Sequence, residues 1–155
     1  MKNILFQALI LLFSLHTLLV ADLIRPSNNS EISFVHVLFE WDQEADANGY
    51  NLQLSKSLNF QNLLIDEVIS ENIYIHKGEI DWDDDYYWRV RPIDADGNVG
   101  DWVNTFTFEI LDDRRGSIDV DVIDGDQTDG GLTLMGSIGN DYYSIVIDED
   151  GREVW

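Results

Sequence analysis

From Leu23 to Leu111 the apolar side chains recur mostly at every second position, in short runs cut by polar turns. A period of two belongs to half-buried strands, with one face in a core and the other in water. Leu23-Ile24-Arg25-Pro26 fits a short first strand, with Pro26 at an edge where no ladder donor is missed. Ser27 to Ser30 reads as a polar turn. Val35, Val37, Phe39 and Trp41 alternate with His36, Leu38 and Glu40 and predict a second strand. Asp42 to Gly49 is an acidic loop closed by the turn dipeptide Asn48-Gly49. Tyr50, Leu52 and Leu54 then define a third strand, Leu63 to Val68 a fourth and Ile73 to Ile75 a fifth. Tyr86, Trp88, Val90 and Pro92 alternate with Tyr87, Arg89 and Arg91 in the sixth. After the turn from Asp94 to Gly100, Phe106, Phe108 and Ile110 mark the seventh. Seven short strands without an amphipathic helix predict an all-β sandwich.

The ends of the chain follow other patterns. Met1-Lys2-Asn3, a mostly apolar run from Ile4 to Val20 and the small residue Ala21 have the order of a secretory signal peptide over 1–21. Cleavage after Ala21 would start the mature chain at Asp22 and leave no stable membrane insertion. Residues 112–131 are rich in Asp and Gly and read as an acidic linker. In 132–155, Leu132 to Ser137 and Tyr142 to Asp148 predict a strand pair, and Asp150-Gly151 a hairpin turn into a further strand. Two or three strands with no partner sheet are marginal in water. This piece is therefore expected to be the truncated start of a second β domain.

Composition narrows the chemistry. The chain is 45% hydrophobic and 12% aromatic, ample for a packed core. Cysteine is absent, so disulfides, thiol catalysis and cysteine-ligated zinc are excluded. With 30 Asp plus Glu against 9 Lys plus Arg, the formal charge is −21. Nucleic acid and anionic membrane surfaces are disfavoured as partners, because their phosphates would be repelled. An acidic surface of this kind suits a protein secreted, periplasmic or held at the cell surface.

The sixth strand with Ile80 ahead of it, Trp41 followed by a loop and Gly49-Tyr50-x-Leu52-x-Leu54, and the Gly-containing turn before Trp102 together resemble the fibronectin type III domain. The resemblance covers about Leu23 to Leu111. It implies an immunoglobulin-like sandwich over 22–111, in which Tyr86 opens the sixth strand and bonds back to the chain just upstream. Asp81-Trp82-Asp83-Asp84-Asp85 stands where that family usually has a Pro-Gly turn. Gly130-Gly131-Leu132-Thr133-Leu134-Met135-Gly136-Ser137, then Tyr142-Tyr143-Ser144 and Asp148-x-Asp150-Gly151-x-x-Val154-Trp155, resemble the opening of the secreted arylsulfotransferases. That resemblance implies a β-propeller that moves a sulfuryl group between phenols through a histidine. None of the family's catalytic positions lies in this piece.

Four sets of residues invite chemistry. Asp119, Asp121, Asp124, Asp126 and Asp129 offer hard oxygens to calcium. Counted from Asp119, however, an EF-hand would place Ile123 fifth and Gly130 twelfth, so a solvated, self-repelling linker is the better expectation. Asp81, Asp83, Asp84 and Asp85 could act as acid and base but sit consecutively in a turn, where side chains splay. Trp41 and Trp88 have core parity, whereas Trp82 and Trp102 are less committed and could stack on sugars. His16 leaves with the signal peptide, and His36 and His76 read as surface strand positions. No cofactor motif is present, and no catalytic residue is expected in this piece. The expectation is an accessory spacing or docking module of a secreted arylsulfotransferase-like protein. The alternative is an adhesion or carbohydrate-binding module whose partner is a protein or polysaccharide. A plain spacer is a third.

Overall fold

The computed structural model describes residues 22–78, 80–112, 130–137 and 143–155. The expected signal peptide, and His16 within it, lie outside the described residues. So does most of the linker, including Asp119, Asp121, Asp124, Asp126 and Asp129. The described residues hold ten strands and no helix: β1 (Leu23–Arg25), β2 (Ser30–Ile32), β3 (Val37–Trp41), β4 (Gly49–Ser55), β5 (Leu63–Ile69), β6 (Ile73–His76), β7 (Asp84–Ile93), β8 (Thr105–Ile110), β9 (Thr133–Ser137) and β10 (Tyr143–Ile147). A three-stranded sheet in the order β1-β3-β6 faces a five-stranded sheet in the order β2-β8-β7-β4-β5, and β9 pairs with β10. The protein is an all-β sandwich.

The expected polar turn forms, the Ser30 N–H donating to the Ser27 carbonyl at 3.1 Å, and strand β2 follows it in a stretch for which no strand was expected. After Pro26 the chain leaves one sheet and joins the other, where Ser30 to Ile32 run parallel to Phe108 to Ile110. Local polar bonds make this switch. Asn29 takes the left-handed conformation, its N–H donates to the Thr107 carbonyl at 2.7 Å, and the Thr107 N–H donates to Asn28 Oδ1 at 3.1 Å. Asn tolerates that conformation better than a branched residue would.

Between the sheets, Phe39, Trp41, Leu52, Leu54, Tyr86, Trp88, Val90, Phe108 and Ile110 are fully buried. Phe39 meets Trp88 edge-on at 5.2 Å between ring centroids, and Trp41 meets Tyr50 in the same way at 5.4 Å. Such contacts add about 0.5–1.5 kcal/mol to the burial of the rings themselves. The Tyr86 hydroxyl accepts the Asp81 N–H at 2.8 Å and lies 3.3 Å from the Asp81 carbonyl, closing the turn that enters β7. Pro92 is accommodated in an interior strand because the pairing of β7 with β8 ends at Arg89↔Thr105. Beyond it, the Pro92 carbonyl accepts the Gly100 N–H, and no neighbouring strand requires the N–H that proline lacks.

Candidate functional site

At the end of the sandwich where β3 begins and β6 ends, the C-terminal segment comes in. Its turn is built by Asp148. One carboxylate oxygen accepts the N–H groups of Asp150 and Arg152, at 3.1 and 2.9 Å. The other accepts the Arg152 guanidinium Nε at 3.0 Å, with the terminal nitrogen at 2.9 Å. Gly151 has φ 80°, where a Cβ would be strained. The chain then returns beside β10, the Val154 N–H donating to the Val146 carbonyl at 2.8 Å.

This turn is joined to the sandwich. The Val154 carbonyl accepts the Val35 N–H at 3.0 Å, and Arg152 donates to the Lys77 carbonyl at 3.0 Å. Val154 is 2% exposed and belongs to the same apolar cluster as Val35, Phe39 and Trp41. The hairpin thus plugs one end of the core with a side chain and clamps the rim with a guanidinium. Beside the joint is a cavity of about 160 Å³ bordered by His36, Lys77, Leu132, Asp148 and Arg152.

Electrostatics at the joint favour one protonation state. Burial pushes the Asp148 carboxyl up, but the Arg152 amide and guanidinium outweigh it and hold it below the ordinary value. Burial lowers His36, against the pull of Asp148, and lowers His76, against the pull of Glu67. Arg152 acts in the same direction as burial on both imidazoles, and Lys77 does so on His36. The histidines expected at the surface are thus part-buried, and burial disfavours the charged form of each. Among the described residues no cluster of three His, Cys, Asp or Glu is placed to hold a metal, and no helix is long and apolar enough to cross a membrane.

The other residues singled out in the sequence lie elsewhere. Trp41 and Trp88 are core, and Trp82 is half-buried against the same cluster. Asp81 and Asp84 both pair with Lys56, while Asp83 takes a left-handed turn conformation. Trp102 lies on the outward face of the five-stranded sheet, with the Arg89 guanidinium 4.0 Å and the Arg91 guanidinium 4.3 Å from its ring centre. Phe60 covers Arg89 as well, at 3.9 Å. Beneath the rings, Arg89 donates twice to Gln53 Oε1, at 3.0 and 2.7 Å, and Arg91 donates to Asn51 Oδ1 at 3.1 Å. Both amides donate in turn to Asp66 Oδ1, at 2.9 and 3.1 Å.

The sheet register builds this row. Asp66, Gln53, Arg89 and Thr105 stand directly opposite one another across four strands. The Val103 N–H bonds to the Val90 carbonyl and lays Trp102 over β7, while the Ser55 hydroxyl holds the loop carrying Phe60. Arg89, Arg91, Gln53, Asn51 and Phe60 were not recognised from the sequence. The available signal was the shared parity of Arg89 and Arg91 on one strand.

No protein-family model matches the chain, and no curated protein matches it in sequence. Among solved structures the chain is similar to part of an α-L-rhamnosidase from Dictyoglumus thermophilum, at 15% identity and a TM-score of 0.48. That likeness covers 77% of this chain, which spans 15% of the enzyme's length.

Proposed function

We propose that the sandwich is a fibronectin-III-like docking module of a secreted arylsulfotransferase-like protein, and that it seats the β segment following the acidic linker. The observation that carries this reading is the joint: Val154 fills the open end of the sandwich core while its carbonyl takes the Val35 N–H. A spacer needs no such insertion, whereas a docking base needs a fixed orientation for what it carries. The hydroxyl bond from Tyr86 back to Asp81 supports the fibronectin-III likeness. The exposed apolar side chains of Leu132, Leu134 and Trp155 support the propeller likeness, since further strands would cover them.

The docking half is tested by hydrogen exchange on the full chain. Val154→Asp is expected to open the Val35 amide and the β10 amides together while β7 stays protected. Unchanged protection at Val35 would end this reading. Secretion is checked by N-terminal sequencing of exported protein, which should begin at Asp22. The enzymatic half is checked by assaying the product of the native gene locus for sulfuryl transfer from 4-nitrophenyl sulfate to a phenol; no transfer would remove that half and leave the docking result standing.

A further inference from the structure

We propose that the Arg89–Trp102–Arg91 stack is a binding subsite for the carboxylate of an acidic sugar unit, a hexuronate within a largely neutral glycan. The inference does not rest on the docking reading, because this face involves neither Val154 nor the C-terminal hairpin.

Unbalanced charge is the first argument. Arg89 and Arg91 are two residues apart on one face of β7, and both lie against the Trp102 ring. Among the described residues neither guanidinium forms an ion pair with a carboxylate. Asp66 is the acidic group of the network, and it is reached through Asn51 and Gln53. Burial, and next the Arg91 charge, weakens the protonated form of Arg89, and the opposing pull of Asp66 does not cancel them. In a protein of net charge −21, carboxylates to neutralise this pair are plentiful, yet the side chains in direct contact with it are amides and rings, with Asp66 behind the amides. Two cations that share one carboxylate, at one remove, keep an excess positive charge and form a prepared site for an incoming anion.

Donor geometry is the second. Arg91 commits its Nε–H to Asn51, and among the described residues its terminal nitrogens have no hydrogen-bond partner. A guanidinium in this state offers a planar fork that matches a carboxylate with two parallel bonds. The amide on one side and the indole on the other fix its orientation, which limits the side-chain entropy lost on binding.

The nature of the face selects a sugar over a peptide. β4 and β7 are interior strands whose backbone groups pair with their neighbours, so this surface presents side chains and no free ladder. A peptide strand docked here would leave its own amides unmatched. Sugar hydroxyls can instead meet polar side chains such as Thr105, which is exposed and stands opposite Arg89. Net negative charge disfavours polyanions of high charge density, and one carboxylate per several sugars limits that repulsion.

The test is an NMR titration of the full chain at low salt, reading the side-chain N–H signals of Arg91 and Trp102. Methyl glucuronide is expected to shift both saturably, and methyl glucoside to shift neither. Arg91→Gln should weaken binding by about tenfold or more through loss of the charged fork. Arg91→Lys keeps the charge without the fork and should recover only part of the affinity; it also serves if the glutamine variant fails to fold. The proposal is overturned if methyl glucuronide gives no saturable shift, or if both Arg91 variants bind as well as the parent. It is equally overturned if N-acetylglutamate binds as tightly as the glucuronide, because the site would then read a carboxylate alone, as an acidic peptide presents it.

Discussion

The two faces of the five-stranded sheet both shield side chains from water, the inner one throughout and the outer one around Asn51 and Gln53, and by different forces. On the inner face, Leu52, Leu54, Tyr86, Trp88 and Phe108 are buried by packing against the opposite sheet. Among the described residues no second sheet packs on the outer face, yet Asn51 and Gln53 are 7% and 8% exposed. Their cover is made of Arg89, Arg91 and Asp66, with Phe60 and Trp102 brought over by two loops. The inner face gains from removing apolar area from water, which is tolerant of direction. The outer face depends on hydrogen bonds and cation–ring contacts, each modest by itself and costly to leave half-made. A side chain pointing away from the core is thus not necessarily a solvated one.

The contrast can be broken from either side. The largest effect is expected from Trp88→Ala, which opens a cavity in the inner face and should cost about 3–5 kcal/mol in chemical denaturation. Gln53→Leu keeps the volume on the outer face but removes the bridge between Arg89 and Asp66, and should cost about 1.5–3 kcal/mol. A loss from Gln53→Leu as large as that from Trp88→Ala would erase the distinction between the faces. Tyr86→Phe leaves the inner packing intact and orphans the Asp81 N–H, for about 1 kcal/mol.

Acid should weaken the outer face through Asp66. Bonds from Asn51 and then Gln53 hold the Asp66 carboxyl below its ordinary value of 3.8. Its contribution to stability is therefore complete above that value and is lost as pH falls through the lower folded-state value. Denaturation midpoints measured from pH 5 down to pH 2 should fall less in Asp66→Asn than in the parent; parallel curves would show that Asp66 contributes no such term. The smallest effect is expected for Lys56→Ala, which removes contacts to Asp81 and Asp84 at the exposed turn: below about 1 kcal/mol, and smaller still in high salt.

Much of the architecture was legible because alternation is a local signal. Val37, Phe39 and Trp41, and Tyr86, Trp88 and Val90, occupy the inner face that their parity predicts. β2 was not legible, because Ser30 to Ile32 is too short to show a period and is placed by its partner β8. The site was less legible still. Nothing in the order of residues says that Phe60 and Trp102, 42 positions apart, cover the same guanidinium. Nor does it say that Val154 meets Val35, since that contact joins segments separated by most of the chain.

By itself the sequence determined an all-β chain with an aromatic interior, because a side-chain period of two and the absence of cysteine leave packed sheets as the way to bury that much apolar surface. Tertiary structure alone decided which polar residues escape water, where the hairpin inserts and which cations share a ring. Those outcomes depend on strand register and loop paths, which bring together residues that carry no mark of each other along the chain.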